Sequence, residues 1–252
     1  RAGVNAGNTI ESGGNYNVVV GDEAGTAITT GDNNVAVGYA ALDATTTAAD
    51  NTAVGYASLG VNITGAANTA VGSLTLDANT TGSHNTALGY GAMSATTTGS
   101  FSTAVGRDAL GAHTTGADNT AVGYASMQDL TTGTNNVAMG TTALANLTTT
   151  AGNTAIGKSA LTSSVTGSYN TALGYLSLTA CLDGGNNIAV GHNALTANTS
   201  GGNNVALGTN ALLANTSATG NIAVGYNSLD ANTTGASNVS VGYYALSANV
   251  TD

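Results

Sequence analysis

Short aliphatic runs, each ended by a glycine, recur at a constant spacing along the chain. Every interval is 17 residues, and 14 copies follow one another without insertion or deletion. A register this strict is typical of a repeat protein in which each copy contacts the next in the same way. The glycines that end the runs, called the Gly column below, are Gly21, Gly38, Gly55, Gly72, Gly89, Gly106, Gly123, Gly140, Gly157, Gly174, Gly191, Gly208, Gly225 and Gly242.

The pattern within one copy predicts short strands rather than helices. Each copy approximates Asn-[Thr/Val]-Ala-Val-Gly-Tyr-x-Ala-Leu-x-Ala-Asn-Thr-Thr-Gly-x-x, with a β-branched residue three before the column glycine. Thr and Asn are poor helix formers, and a glycine inside a helix costs about 1 kcal/mol, so strands joined by turns fit better. We expect a second short strand at x-Ala-Leu, and a turn at Asn-Thr-Thr-Gly whose glycine adopts positive φ.

A 17-residue unit cannot bury a core alone, but stacked copies can, because each strand pairs with its equivalent in the next coil. The sequence therefore predicts an all-β fold, a parallel β-solenoid of about 14 coils. Residues 1–20 form a degenerate first coil, and residues 21–252 form one continuous regular domain. Inner ladders of Val and Leu and a corner ladder of Asn amides should support it. We expect these ladders to include Asn51, Val54, Gly55, Leu59, Asn119, Val122, Gly123 and Met127, with Met93 and Met139 also in the core.

The composition excludes several classes of partner and of chemistry. The chain has 3 Lys and Arg against 13 Asp and Glu, a formal charge of −10, no Pro and only 6% charged residues. Three cations cannot neutralise a run of phosphates, so we expect neither nucleic acid nor an anionic membrane as a partner. No apolar run is long enough for a transmembrane helix. No metal-ligand spacing and no column of grouped acids and bases is visible, so we expect no metal, no cofactor and no catalysis.

Two columns of polar residues, one of Tyr and one of Thr, could bind a ligand or a partner. Tyr stands directly after the column glycine in half of the copies, where it could bind glycans, pack against a neighbouring rod or simply stack. The Thr pairs, such as Thr80-Thr81, are similar to the Thr arrays of ice-binding solenoids, but those arrays lie on a flat strand face, whereas Thr-Thr-Gly here is typical of a turn. The Tyr residues of this column, the Tyr column below, are Tyr39, Tyr56, Tyr90, Tyr124, Tyr175, Tyr226 and Tyr243.

The remaining candidate residues could be modified covalently or form a covalent link. They are the asparagines of Asn-x-Ser/Thr sequons and one cysteine. The sequons could carry glycans on a secreted surface, or could follow from duplicated turn chemistry. Cys181, the only cysteine, marks either an irregular coil or an intermolecular thiol. The sequons begin at Asn62, Asn79, Asn146, Asn198, Asn215, Asn232, Asn238 and Asn249.

The Asn-Thr-Ala-Val-Gly motif, at Asn51–Gly55 and Asn119–Gly123, resembles the head repeats of trimeric autotransporter adhesins. The whole unit, at Asn68–His84 and Asn221–Ser237, also resembles repeats of phage tail-fibre-like and bacterial surface proteins. The resemblance implies a left-handed roll and a homotrimer. The period of 17 is longer than that of typical adhesin heads.

The function expected from the sequence is structural: a solenoid shaft or fibre on a cell surface, a virion or an extracellular filament. An adhesin that recognises surface glycans is the alternative, and an ice-binding protein is a weaker one. Neither end shows a charged or amphipathic cap. We therefore expect the chain either to continue into other domains or to stack head to tail into a filament.

Overall fold

The computed structural model describes residues 2–250, and the described chain contains strands and turns but no helix. It divides between Ala125 and Ser126 into two compact units. The strands of the first unit are β1 (Val18–Val20), β2 (Val35–Val37), β3 (Thr52–Val54), β4 (Thr69–Val71), β5 (Thr86–Leu88), β6 (Thr103–Val105) and β7 (Thr120–Val122). Those of the second are β8 (Val137–Met139), β9 (Thr154–Ile156), β10 (Thr171–Leu173), β11 (Ile188–Val190), β12 (Val205–Leu207), β13 (Ile222–Val224) and β14 (Val239–Val241).

Within each unit every strand pairs in parallel with the strand one coil away, in sequence order. The register is the repeat itself: Thr52 pairs with Thr69, and Thr154 pairs with Thr171, 17 residues apart. Backbone hydrogen bonds also link the turns of neighbouring coils, as where Leu59 N donates to Thr75 O at 3.0 Å. The predicted parallel β-solenoid is confirmed.

The core is narrow, and it is filled from two sides. The middle residue of each strand, Ala in 12 of 14 copies, points inward and is at most 2% exposed. The Leu or Met four residues after the column glycine lies fully buried, as at Leu59, Met93 and Met127, except in the last coil, where Leu246 is 50% exposed. One Leu per coil therefore provides most of the apolar volume, and the strand facing it has room only for a methyl group.

The predicted core position of the strand aliphatics was wrong. Val54 and Val122 lie partly exposed beside the column glycines Gly55 and Gly123, and Met139 is 47% exposed. Strand alternation places them on the face opposite the buried Ala. From hydrophobicity alone, the larger Val, Leu, Ile and Met side chains of the strands would be expected to point inward. The coil is too narrow for them, so the smaller Ala side chains point inward instead.

The predicted second strand is also wrong, because that segment is a series of turns. Ala57 and Leu59, two and four residues after Gly55, have φ of +52° and +50°, and the same alternation recurs in the other coils. Left-handed residues this close together cannot form a strand. They turn the chain back so that the Leu side chain enters the core, and its burial offsets the roughly 1–2 kcal/mol cost of a left-handed conformation.

Glycine is required at the Gly column for two independent reasons. These residues have φ between +129° and +142°, a region that L side chains rarely adopt. A Cβ on Gly72 would also lie 2.6 Å from the carbonyl oxygen of Gly89 in the next coil. The corner glycines of Thr-Thr-Gly do not have the predicted positive φ. They are required by close approach, because a Cβ on Gly99 would lie 2.6 Å from Gly116 O.

Four residues before the column glycines, asparagines that are buried in all but the first and last coils form the predicted amide ladder. Asn68 Nδ2 donates to Gly82 O at 2.9 Å, and Asn68 Oδ1 accepts a hydrogen bond from the backbone N of Asn85 at 3.0 Å. Asn51 makes the same pair of contacts one coil earlier, with Gly65 and Asn68. Asn119 is likewise buried, and its backbone N donates to Ser102 Oγ, the one serine of this column, at 3.2 Å. Each side chain therefore satisfies backbone groups in its neighbouring coils.

Candidate functional site

The outward face of each strand row presents two uncharged columns, which we call the aliphatic face. One column is Thr, Val or Ile and the other is Val, Leu, Ile or Met, taken from the first and third residues of each strand. In the first unit Leu88 is 46% exposed, and in the second unit Leu173 is 43% exposed. Single exposed aliphatics are normal on a protein surface, but contiguous apolar columns usually mark an interaction surface.

The Tyr column lies beside the aliphatic face along the chain and is about half exposed. Its rings stack on one another where they are adjacent. Tyr39 and Tyr56 have ring centroids 5.5 Å apart at 15°, and Tyr226 and Tyr243 have centroids 5.3 Å apart at 17°. Since these faces contact each other, a sugar could stack only on the faces that the column leaves free.

Both basic residues between the termini occupy this same column and lie over tyrosine rings, a pairing that the sequence reasoning missed. Arg107 Cζ lies 5.7 Å from the ring centroid of Tyr90 and 5.9 Å from that of Tyr124. Lys158 Nζ lies 6.0 Å from the ring of Tyr175, which stacks on His192 at 5.5 Å. The signal was present in the sequence, because both cations follow directly after a column glycine.

The predicted glycosylation surface is largely contradicted. Most of the sequon asparagines lie in a second inner column, seven residues after the column glycine, where they hydrogen-bond within the core. Asn79 Nδ2, for example, donates to Asn62 Oδ1 at 2.8 Å. Asn238 and Asn249 are half-buried, and only the Asn146 side chain is exposed among the eight. The fully buried sequon residues are Asn62, Asn79, Asn198, Asn215 and Asn232.

Cys181 lies inside the narrow interior, whereas Asp77 is only half-buried. Cys181 is fully buried in the inner column, and its Sγ lies 3.2 Å from Gly184 O. Because the side chain is fully buried, the structure disfavours the intermolecular thiol; burial also raises the pKa of this thiol to about 11. Burial also raises the pKa of Asp77.

His113 is the buried histidine of the inner column. Its Nδ1 lies 3.0 Å from Thr96 Oγ1 in the preceding coil. Burial lowers the pKa of His113 to about 4 from 6.5, and a hydrogen bond with the Gly116 backbone opposes that shift only in part. The core therefore contains a base that stays neutral until strongly acidic pH.

We expect His113 to make the protein less stable as the pH falls from 6.5 to 4. In this window the unfolded chain binds a proton that the folded chain does not, so stability is fully present above pH 6.5 and is lost toward pH 4. The loss is on the order of 3 kcal/mol. Urea unfolding of the wild type and His113→Asn, which places the residue of Asn79 in the same column, measures it. Identical pH slopes for the two proteins would contradict the assignment.

The Thr pairs have a structural use in the turns. The first Thr of a pair donates its hydroxyl to the backbone of the next coil, as where Thr80 Oγ1 bonds Thr97 O at 3.0 Å and Thr131 Oγ1 bonds Thr148 O at 3.0 Å. The second Thr, such as Thr81 or Thr98, is exposed. Half of the predicted Thr array is therefore already hydrogen-bonded inside the protein.

No cluster of three or more His, Cys, Asp or Glu that could hold a metal occurs within residues 2–250. Over the same range, no helix has the length and apolarity to cross a membrane. Compared with protein-family models, curated proteins and solved structures, the chain matches none of them. The described residues have the fold of a tandem-repeat protein of the parallel β-solenoid type, whose surface columns repeat once per coil.

Proposed function

We propose that this chain is a non-catalytic shaft or fibre segment of a cell surface, a virion or an extracellular filament, and that it assembles with copies of itself through the aliphatic face. The exposure of that face is the observation that carries the proposal. Strands that bury Ala leave the larger Val, Leu and Ile side chains outside, which is costly in water unless a partner covers them. A second copy offers the same uncharged columns at the same spacing.

The charge distribution supports self-association through this face rather than another. The formal charge of −10 makes copies repel each other, yet the two columns of the aliphatic face contain no charged residue. A contact there brings uncharged columns together, one aliphatic and one mixed with Thr, and leaves the carboxylates outside. A homotrimer is the assembly implied by the resemblance, and head-to-tail stacking of strands is the other arrangement that the repeat allows.

A pair of lysine variants in one coil tests the proposal. Leu88→Lys places a charge on the aliphatic face, and Thr98→Lys places the same charge on an exposed turn ten residues later. We expect Leu88→Lys to dissociate the assembly to the 24.2 kDa monomer, because a buried unpaired ammonium costs several kcal/mol. Light scattering after size-exclusion chromatography reports the mass. Dissociation by both variants, or by neither, would refute an interface on this face.

An adhesin that binds glycans through the Tyr column is the second candidate. The half-exposed rings favour it, while their stacking on one another disfavours it. Glycan-array signal that is lost when Tyr56, Tyr90 and Tyr124 are replaced would support this alternative.

A further inference from the structure

The Tyr column is interrupted in the first unit by a small residue. Ser73 lies between Tyr56 and Tyr90, one coil from each. Coils repeat at about 4.8 Å, so the two rings are roughly 10 Å apart with only a hydroxymethyl group between them. Adjacent rings in this column stack at 5.5 Å, as Tyr39 and Tyr56 do. The space between Tyr56 and Tyr90, which we call the Ser73 slot, therefore matches one planar group.

The chain itself shows what such a space accepts. One coil beyond Tyr90 the same column holds Arg107, whose guanidinium lies between the rings of Tyr90 and Tyr124 at 5.7 and 5.9 Å. Tyr90 contributes one face to Arg107 and has its other face toward the coil of Ser73. Tyr56 stacks on Tyr39 at 15°, so its opposite face also points toward that coil.

The electrostatics of the slot favour a cation. Asp108, one coil beyond Tyr90, is already paired with Arg107, whose Nε lies 3.0 Å from Asp108 Oδ2, so the attraction for a cation at the slot comes from the net charge of the chain. The whole chain carries a formal charge of −10. Arg107 and a second cation in the slot would be about 10 Å apart, a distance at which repulsion in water is weak.

We propose that the Ser73 slot binds an arginine side chain presented by a partner polypeptide, with the guanidinium held between Tyr56 and Tyr90. A guanidinium is planar and weakly hydrated, so it stacks between two rings where a lysine ammonium cannot. The other gap of this kind, at Thr209 between His192 and Tyr226, offers one tyrosine instead of two. It should bind more weakly and serves as an internal comparison.

The test is a titration of N-acetyl-arginine amide into the full chain labelled with ¹³C-tyrosine. This small molecule represents one arginine within a polypeptide. We expect saturable shifts of the Tyr56 and Tyr90 ring signals, assigned with Tyr56→Phe and Tyr90→Phe. The matched probe is N-acetyl-citrulline amide, which has the same shape without the charge. Binding of the arginine unit should be about three- to tenfold tighter than that of citrulline, as expected for a cation–π contact at a hydrated surface.

Two variants that fill the slot provide the control. Ser73→Arg and Ser73→Tyr introduce residues that this column already accepts at Arg107 and Tyr56, and both should abolish the shifts. Unchanged shifts in a folded variant would overturn the proposal, as would equal binding of citrulline. Tighter binding of methyl galactoside to the same rings would also overturn it and favour the glycan alternative.

Discussion

Gly55→Ala is expected to destabilise the protein by at least about 3 kcal/mol. Gly55 has φ of +142°, and a Cβ there would overlap the carbonyl oxygen of Gly72 in the next coil. The strained conformation alone costs about 1–3 kcal/mol, and the clash is with backbone that cannot move without shifting a coil. Urea unfolding followed by circular dichroism measures the change.

Gly60→Ala is the matched control, five residues later in the same coil. Its nearest atom to an added Cβ is Ala57 O at 3.2 Å, and the equivalent position in another coil is already Ala145. We expect a change of less than about 1 kcal/mol in either direction. Equal destabilisation by Gly55→Ala and Gly60→Ala would contradict the claim that neighbouring coils approach too closely at the Gly column to accept a Cβ.

Asn68→Ala is expected to cost about 1–3 kcal/mol, because the buried backbone N of Asn85 loses its acceptor, whereas Gly82 O keeps a second donor, Asn79 Nδ2, at 3.0 Å. The backbone N of Asn85 donates to Asn68 Oδ1 at 3.0 Å, and Gly82 O accepts from Asn68 Nδ2 at 2.9 Å. Each buried group left unsatisfied costs about 1–3 kcal/mol. The free energy of unfolding in urea reports the loss.

Two comparisons isolate the ladder from a general effect of removing an amide. Asn146→Ala removes an exposed amide and should change stability by less than about 0.5 kcal/mol. Asn68→Ser should cost less than Asn68→Ala, because Ser102 occupies this column and accepts a hydrogen bond from Asn119 N at 3.2 Å. A cost for Asn68→Ala no larger than that for Asn146→Ala would contradict the ladder.

The period and the ladders could be predicted from the sequence, because a strict repeat places each residue next to the equivalent residue of the neighbouring coil. A strict 17-residue register places Asn68 beside Asn51 and Asn85 whatever the shape of the coil. The buried Leu59 and Met127 follow from the same logic, since an apolar column without charge must lie inside or at an interface.

The direction of the strand faces could not be predicted, because alternation defines two faces and does not say which one is inside. Val54 is larger and more apolar than Ala53, yet Ala53 is buried and Val54 is not. The deciding quantity is the space left by Leu59 from the facing turn. That turn was itself hidden, because a left-handed leucine at φ +50° has no sequence signature.

Of the candidate surfaces, the Tyr column was predicted correctly and the Asn column of the corner was not, because the sequence does not show the path of the coil. The Tyr column was assigned to the surface correctly, because its mixed composition of Tyr, Arg, Lys and Ser tolerates water. The inner column was not, since Asn62 and Asn79 in a Thr-rich corner look like an exposed turn. Their burial follows from a coil path that the one-dimensional pattern does not contain.

The mass of the full chain in solution decides whether the chain self-assembles. A chain whose aliphatic face stays uncovered has the mass of a monomer, whereas an assembled shaft has a multiple of that mass. Sedimentation equilibrium over a wide range of protein concentration should give a multiple of 24.2 kDa, three copies for the trimer, at micromolar concentration. Raising the salt concentration should favour the assembly, because it screens the −10 charge on each copy. A single 24.2 kDa species at every concentration and salt level would contradict the account.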